Sequence, residues 1–282
     1  DWQNRQDLEC GFIMFVLYIG MGNNLLNKIE EVSRNKKLII FDLDGTLIES
    51  KSNIDKEMAG LLEKLIERKP VAVIGGGKYQ LFVSQFVSRI NVPEKFLGKL
   101  YLFPASGTAF YKYKNGSWNK IYAHELSSDE KEKIFDAFEQ TFLELNYVHP
   151  QKVYGTIIED RGTQITFSAL GQEAPLELKK KWKEENTDLK LKIADTLRGY
   201  LPDMSVGAAG YTSIDVTNKG IDKAYGIRQI NKELGIAFED MLFIGDALFP
   251  GGNDYAALST DVECFAVKEV SDTKKLIKYL LN

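Results

Sequence analysis

The stretch Ile39–Leu47, IIFDLDGTL, decides the fold because it joins a buried strand to an acidic turn. The apolar run Leu38–Phe41 favours a strand with both faces buried in a parallel sheet. Asp42 and Asp44 follow that strand at positions i and i+2, and Gly45 permits a tight turn. Because ligands bind outside the carboxyl ends of strands in open α/β sheets, we expect both carboxylates in the functional site.

The two carboxylates suit phosphoryl transfer. A carboxylate near Mg²⁺ is a competent nucleophile toward phosphorus, which gives Asp42 that role and an aspartyl-phosphate as its product. Asp44 can protonate the leaving oxygen and later deprotonate water, while Thr46 offers a hydroxyl. A lone D-x-D pair is usually only an acidic turn, but its nine-residue context favours the catalytic interpretation.

A glycine-rich turn is the second element that suits phosphate binding. It follows the predicted strand Val71–Ile74, and its exposed backbone N–H groups can bind phosphate oxygens. Many such turns have only a structural role, so its value lies in its position after the first element. Its residues are Gly75, Gly76 and Gly77.

A lysine and an acidic loop complete the set. Lys223, with Lys219 as the alternative, begins a predicted helix and can offset the aspartate charges while holding phosphate. A later loop after a strand offers hard oxygens of the kind that Mg²⁺ prefers. Asp246 is the expected direct ligand, and Asp254 or Asn253 is expected to support it through water.

Alternating strands and helices predict an α/β core with a Rossmann-like, doubly wound parallel sheet. The expected core strands lie at 38–41, 71–74, 100–103, 241–244 and 263–267. The middle of the chain differs, with hairpin signals at Asn115–Gly116 and Arg161–Gly162 and a capping box at Ser127 and Glu130. We predict an inserted α+β cap with strands at 153–159, 164–169 and 213–216 and helices from 127, at 175–185 and at 189–200. The expected divisions are an N-terminal extension at 1–33, core at 34–117 and 220–282, and cap at 118–219.

Composition excludes several classes of partner. A net charge of −4 gives no broad attraction for nucleic acid or anionic membrane. Two cysteines without metal-site spacing fit a reducing compartment, so we expect a cytoplasmic protein. The apolar run at 11–22 is shorter than the roughly 20 residues of a bilayer span. We expect a nonfunctional extension or packed helix there, a short helix at 24–33, and Met21 as an alternative start.

The four elements, in this order, resemble the haloacid dehalogenase superfamily of aspartate-nucleophile phosphotransferases. The insertion resembles the type-IIB cap, and within that group the chain is most similar to eukaryotic-type phosphomannomutases. The resemblance covers residues 36–280. Its most specific stretches are FDLDGTL, FPASGTAFYKYKNG from Phe103, GIDKAYGIR from Gly220 and GDALFPGGND from Gly245.

The resemblance implies roles for particular residues. Asp42 is the implied nucleophile, Asp44 the acid/base and Lys223 the phosphate-binding lysine. The implied Mg²⁺ ligands are Asp42, the carbonyl of Asp44 and Asp246, with Asn253 and Asp254 nearby. In the cap, the implied sugar-phosphate contacts are Arg161, Ser213 and Asp215, and the resembled mutases pair through their caps, which implies a homodimer.

Three positions depart from the resembled pattern. Two family arginines fall on Gln172 and Tyr154, and Gly77 lacks the hydroxyl of the family's G-G-S turn. A mutase must also bind a second phosphate in the cap, where arginine pairs bidentately with phosphate. Each lost hydrogen bond to a charged group is worth about 1.5–3 kcal/mol, so the two replacements favour a phosphatase.

Three functions therefore remain open at this point. The first is a phosphatase acting on a small sugar or polyol phosphate, with Gln172 among its substrate-binding residues. The second is a phosphomannomutase that interconverts hexose 1- and 6-phosphates. The third is a catalytically weak sugar-phosphate-binding protein, which the intact Asp42 and Asp44 pair argues against.

Overall fold

The computed structural model describes residues 17–18, 35–49 and 52–281. In chain order the strands of this part are β1 (Leu17–Tyr18), β2 (Leu38–Asp42), β3 (Val71–Ile74), β4 (Leu100–Phe103), β5 (Ala109–Lys114), β6 (Ser117–Ala123), β7 (Ile158–Asp160), β8 (Ile165–Ser168), β9 (Met204–Ala209), β10 (Ser213–Asn218), β11 (Met241–Gly245) and β12 (Glu263–Ala266). The α-helices are α1 (Lys56–Arg68), α2 (Tyr79–Gln85), α3 (Glu94–Leu97), α4 (Ser128–Glu144), α5 (Leu176–Tyr200), α6 (Lys223–Leu234) and α7 (Val270–Leu280).

Within the described residues, eight strands form the core sheet, in the order β1-β12-β11-β2-β3-β4-β5-β6. In this sheet order, every neighbouring pair between β1 and β4 is parallel. Strands β5 and β6 form an antiparallel hairpin at the edge beyond β4. Alternate residues of β2 pack on opposite faces: Phe41 contacts the layer of α1, α2 and α7, and Ile40 contacts α6. Helices on both faces confirm the predicted doubly wound α/β core.

Four strands form a separate antiparallel sheet, in the order β7-β8-β10-β9. Helices α4 and α5 cover it, and Phe138 and Leu197 of those helices share an apolar cluster with Phe167 and Ile214 of the sheet. This sheet and its helices lie between β6 and α6 in the chain. They form the predicted α+β cap.

The domain limits at 1–33, 34–117, 118–219 and 220–282 stay predictions, although one strand bears on them. Strand β6, which our limits assign to the cap, pairs with β5 in the core sheet. The turn between them has left-handed φ at Asn115 (57°) and Gly116 (79°), as a two-residue hairpin turn requires. The first hairpin is thus part of the core sheet.

Several elements differ from the sequence-based expectation. The two predicted cap helices form one element, α5, with a kink at Asn186. The predicted strand at 153–159 is reduced to β7, because Gly155 takes a left-handed φ of 72° and the segment before β7 follows a bend. Strand β9 and the short helix α3 are not predicted at all. Strand β9 is rich in small residues (MSVGAA), which favour strands only weakly.

The N-terminal predictions fall mostly outside the described residues. Leu17–Tyr18 forms a two-residue strand beside β12, so these two positions are not helical as a packed helix would require. The rest of the extension at 1–33, including the helix expected at 24–33 and Met21, lies outside the described residues. Among the helices that are described, none combines the length and apolar character needed to cross a membrane.

Candidate active site

Asp42 and Asp246 lie at the carboxyl ends of two neighbouring strands. Asp42 ends β2 and Asp246 follows β11, and the two strands pair in parallel up to Phe41 and Ile244. The loop after β11 brings Asp254 to the same place. Carboxylate oxygens of these three aspartates lie within 4.8 Å of one another. The sheet thus assembles three of the predicted acidic residues at one edge.

Lys223 reaches this cluster from the first turn of α6. Its Nζ lies 2.5 Å from Asp42 Oδ1 and 2.9 Å from Asp254 Oδ1, and the residue is only 3% exposed. Lys219, the alternative, is exposed and donates to the carbonyl oxygen of Pro202. The structure therefore brings Lys223, and not Lys219, beside the predicted nucleophile.

The electrostatics of the cluster are those of crowded, buried charges. Burial and the nearby Asp254 and Asp246 raise the pKa of Asp42 well above its ordinary value, against the pull of Lys223. Burial and the charge of Asp254 raise the pKa of Asp246 to about 6. Burial opposes the charge on Lys223, but Asp254 and Asp42 outweigh it and raise the pKa of the ammonium.

The donor set fits a divalent cation. Three carboxylates face one ammonium, and Oδ2 of the buried Asp42 has no hydrogen-bond partner. A buried carboxylate oxygen without a partner costs free energy unless a cation or a proton meets it. Hard carboxylate oxygens are the ligands that Mg²⁺ takes in proteins. Asp42, Asp246 and Asp254 are therefore the residues that could hold the metal.

Two glycines leave room for these carboxylates. Gly45 has a φ of +92°, and a side chain there would overlap the Asp246 carboxylate. A side chain at Gly245 would overlap the carboxylate of Asp254. Asp254 is fixed further by the backbone N–H of Ala247, which donates to its Oδ2 at 3.1 Å. Close packing against these carboxylates therefore requires glycine at positions 45 and 245.

The remaining predicted residues of the core lie at the margin of the cluster. Thr46 is buried and its hydroxyl donates to Asp246 Oδ1 over 3.4 Å. Asp44 is half-buried in a tight turn that a β-bridge to Ile48 closes, and its carboxylate is not one of the three that meet. Asn253 is exposed. Direct ligation by the side chain of Asp44 or Asn253 therefore has no support in this geometry.

The glycine turn is joined to the loop after β4. The carbonyl oxygens of Gly75 and Gly77 accept hydrogen bonds from the backbone N–H groups of Ser106 and Ala105, each at 2.9 Å. On the cap side, a Cβ at Gly76 would lie 3.8 Å from Asp215 Oδ2. The turn therefore lies between the core and the cap, as a phosphate-binding turn beneath a cap should.

A network of charges connects that turn to the cap. Arg161 donates from Nε to Glu159 Oε2 at 2.9 Å, from Nη1 to the carbonyl oxygen of Gly76 at 3.4 Å, and from Nη2 to Gln172 Oε1 at 3.1 Å. Lys78, next to the glycine turn, pairs with the other oxygen of Glu159. We call Gly76, Lys78, Glu159 and Arg161 the cap clasp, because these contacts join core to cap.

A cavity of about 280 Å³ lies beside the cap clasp. The core contributes Lys78 and Gln85 to its charged and polar lining. The cap contributes Glu159, Arg161, Gln172, Glu173, Lys179 and Tyr211. None of the three clustered aspartates lines it, so this cavity does not contain the carboxylate cluster. Its walls are nevertheless the surfaces that would face a substrate between core and cap.

The other predicted cap residues lie in two different parts of the cap, on strand β10 and in a separate groove. Asp215 Oδ1 accepts a hydrogen bond from Thr166 Oγ1 at 2.8 Å, and Ser213 lies buried two residues earlier on β10. Tyr154, by contrast, lines a separate groove with Lys152 and Trp182. The position of one missing family arginine is therefore in a different groove from the cavity that Arg161 and Gln172 line.

Sequence reasoning did not identify Lys78 or Glu159 as site residues. Lys78 directly follows the glycine turn, which is a signal that could have been used. Glu159 is 81 positions away from Lys78, and only the docking of the cap on the core brings the two together.

Three carboxylates and the buried Lys223 meet at the carboxyl ends of the strands of a doubly wound sheet, and the chain also has an α+β cap. This arrangement is typical of phosphoryl-transfer enzymes that use an aspartate nucleophile. A family model described as haloacid dehalogenase-like hydrolase matches residues 39–279. The chain belongs to this family, which confirms the predicted superfamily.

Curated relatives agree with this membership, and solved structures agree with the fold. The chain is 31% identical over 264 residues to a phosphomannomutase of Encephalitozoon cuniculi, covering 88% of this chain and 94% of the relative. It is 29% identical to phosphomannomutase 1 of Homo sapiens, covering 79% and 83%. An IMP-bound IMP-nucleotidase of Plasmodium falciparum shares the fold with a TM-score of 0.64 at 15% identity, covering 91% of this chain and 71% of that one. A trehalose-6-phosphate phosphatase of Aspergillus fumigatus has a TM-score of 0.54, also at 15% identity, covering 91% and 97%.

Proposed function

We propose that this protein is a Mg²⁺-dependent phosphatase that hydrolyses a small sugar or polyol phosphate through an aspartyl-phosphate on Asp42. The observation that carries the proposal is the state of that carboxylate. It is 1% exposed, its Oδ1 is held by Lys223, and its Oδ2 has no hydrogen-bond partner. A fixed carboxylate with one unpaired oxygen suits in-line attack on phosphorus.

The other residues take roles that follow from their positions. Lys223 holds phosphate oxygens and orients Asp42, which its ammonium already contacts. Asp44 lies in the turn after the nucleophile, where it protonates the leaving oxygen and then deprotonates the attacking water. Mg²⁺, when bound by Asp42, Asp246 and Asp254, neutralises charge on the transferring phosphoryl group. The backbone N–H groups of Gly76 and Gly77 orient the phosphate, whereas that of Gly75 donates to the carbonyl oxygen of Phe103 at 3.3 Å.

The cap clasp supports hydrolysis over mutase activity. Arg161 is the predicted sugar-phosphate contact, but it shares the carboxylate of Glu159 with Lys78, and Gln172 takes one of its remaining N–H groups. A neutral amide at 172 adds no positive charge for a second phosphate. A cap clasp with one net positive charge suits a monophosphate better than a bisphosphate intermediate, which needs cations at both of its phosphates.

A phosphomannomutase is the second candidate, and the relatives favour it. Several curated relatives carry that name, and the first covers 88% of this chain. Lys78 and Lys179 also line the cavity and could partly replace the missing arginines. The third hypothesis, a catalytically weak binding protein, is disfavoured because the carboxylate cluster and Lys223 are assembled.

Phosphate release from a panel of phosphorylated sugars and polyols, with Mg²⁺ and with or without a hexose bisphosphate, tests the proposal. We expect net phosphate release that depends on Mg²⁺, that the bisphosphate does not stimulate, and that Asp42→Asn abolishes. Asp136→Asn, an exposed aspartate on α4, is the matched control. Isomerisation of hexose phosphates without net release would establish the mutase instead.

Three further expectations belong to the same proposal. We propose a cytoplasmic location, a homodimer formed through the cap, and no nucleic-acid or membrane partner. The net charge of −4 supports the expected lack of nucleic-acid and membrane partners, the low cysteine content supports the location, and the resemblance to mutases that pair through their caps supports the homodimer. Sedimentation of the purified chain tests the dimer, and a monomer at micromolar concentration would contradict it.

A further inference from the structure

The loop after β4 has an unusual backbone at three consecutive residues. Ala105, Ser106 and Gly107 have φ values of 48°, 56° and 85°, which lie in the left-handed region. That region suits glycine, but for alanine and serine it costs free energy that the surrounding structure must offset. Such strain persists where contacts on both sides fix the backbone, and functional sites are where it concentrates.

One side of this strained loop is fixed to the glycine turn. The N–H groups of Ala105 and Ser106 donate to the carbonyl oxygens of Gly77 and Gly75, each at 2.9 Å. These bonds depend on the left-handed backbone, because it turns two successive N–H groups toward the same neighbour. The loop therefore determines where the proposed phosphate-binding turn lies.

The other side of the loop is in close contact with helix α6. A Cβ on Gly107 would lie 2.5 Å from the Cα of Gly226. A Cβ on Gly226 would overlap Cδ1 of Ile74 on β3 and would lie 2.9 Å from the carbonyl oxygen of Ser106. All three approaches are closer than real Cβ contacts allow. Backbone meets backbone here, and only glycine at 226 permits this approach.

Gly226 lies one turn after Lys223 on the same helix. A shift of α6 away from the loop would therefore move the lysine that holds Asp42. A second set of contacts joins the loop to the same helix. Tyr122 donates to the carbonyl oxygen of Gly107 at 2.8 Å, and its ring stacks on His124. Nδ1 of His124 lies 2.5 Å from the hydroxyl of Tyr225 on α6.

We infer that the strained loop 105–107 is a positioning element, which sets the distance between the glycine turn and Lys223 through the contact with Gly226. The inference rests on the proposed function and adds to it the reason why two phosphate-binding elements, far apart in sequence, keep a fixed spacing. Ser106 and Gly226 act through the backbone and touch no reacting atom.

The first test replaces Gly226 by alanine. Since a misplacement of about 1 Å can cost about 100-fold in rate, we expect Gly226→Ala to lower kcat/KM by about 10- to 100-fold, mainly through kcat. In a protein that already carries Lys223→Met, adding Gly226→Ala should have almost no further effect on kcat/KM. Gly60→Ala is the control, because that helical glycine has open space around it. Full activity in Gly226→Ala, or equal losses in both backgrounds, would overturn the inference.

The second test separates the backbone of Ser106 from its hydroxyl. Glycine adopts a left-handed φ without strain, whereas valine opposes it. We expect Ser106→Gly to keep kcat/KM within about twofold and to raise Tm, and Ser106→Val to lose activity as Gly226→Ala does. An equal loss in Ser106→Gly and Ser106→Val would assign the role to the hydroxyl and reject positioning.

Crystal structures of the wild type and of Gly226→Ala keep the inference testable without turnover. We expect the separation of Lys223 Nζ and Asp42 Oδ1 to increase in the variant. An unchanged separation would contradict the positioning role. If the wild-type enzyme released no phosphate from any substrate, the proposed function would fail, while this distance would still decide the inference.

Discussion

At the scale of single residues, Lys223 and its carboxylates determine the character of the site. Three carboxylates, two buried and one half-buried, repel one another, and the ammonium of Lys223 contacts Asp42 and Asp254. The arrangement needs positive charge, part of which Lys223 supplies. It is therefore prepared for a further cation and for the negative charge of a phosphoryl group.

Replacing this lysine should be costly for stability. Removing one partner from a buried ion pair typically costs about 3–5 kcal/mol, so we expect Lys223→Met to lower the free energy of unfolding by about that amount at neutral pH. Urea denaturation without Mg²⁺ measures it. Lys219→Met, which changes an exposed lysine, is the control. Equal stability of Lys223→Met and wild type would show that the lysine does not offset the carboxylates.

Much of this residue-scale description could be predicted from the sequence. Asp42, Asp246 and Lys223 each follow a strand or begin a helix, and the order of elements places those ends at one edge. The side chain of Asp44 could not be placed, because its direction depends on a turn that bridges to Ile48. The exposure of Asn253 was equally hidden, since neighbouring loop residues differ in burial.

At the scale of elements, helix α4 shows how a local signal fixes a boundary. The hydroxyl of Ser127 accepts the N–H of Glu130, and the Glu130 carboxylate accepts the N–H of Ser127. The predicted capping box is thus confirmed. It begins the helix that carries Phe138 into the cap core.

Loss of the N-cap serine, Ser127, should lower the stability of the protein but not its catalytic activity. An N-cap serine contributes about 1 kcal/mol, so we expect Ser127→Ala to lower the free energy of unfolding by about that amount. Phosphate release should keep its wild-type kcat/KM at a temperature where both proteins are folded. Ser128→Ala, one residue into the helix, is the control. A fall in kcat/KM in Ser127→Ala alone would connect this helix to the active site.

Elements defined by long-range contacts were harder to predict. The turn at Asn115–Gly116 carries its own signal, so the hairpin was found. Strand β9 has small residues and gains its identity from pairing with β10. The kink at Asn186 similarly joins two helical segments that the sequence pattern separates.

At the scale of the whole molecule, the cap clasp decides how the cap meets the core. Lys78 and Gly76 belong to the core, and Glu159 and Arg161 belong to the cap. Glu159 is half-buried; burial opposes its charge, but Lys78 and Arg161 outweigh that effect and hold its pKa below the ordinary value. The pairings join positions far apart in the chain, so sequence patterns could not reveal them.

Weakening the cap clasp should open the molecule. A partly exposed ion pair is worth up to about 1 kcal/mol and is screened by salt. We therefore expect Lys78→Met to increase several-fold the fraction of molecules in which the cap has moved away from the core. Small-angle X-ray scattering should show a larger radius of gyration than wild type at low salt, and a smaller difference at high salt. Lys64→Met, on the exposed side of α1, is the control. Identical scattering of Lys78→Met and wild type at both salt concentrations would rule out a role in closure.

The central claim, that Asp42 carries the phosphoryl group, is tested most directly by trapping it. The enzyme is mixed with a labelled phosphorylated substrate and Mg²⁺, quenched in acid, digested and analysed by mass spectrometry. We predict a hydroxylamine-labile phosphoryl group on the peptide that contains Asp42, present in Asp136→Asn and absent in Asp42→Asn. A phosphoryl group on another residue, or unchanged turnover in Asp42→Asn, would contradict the account.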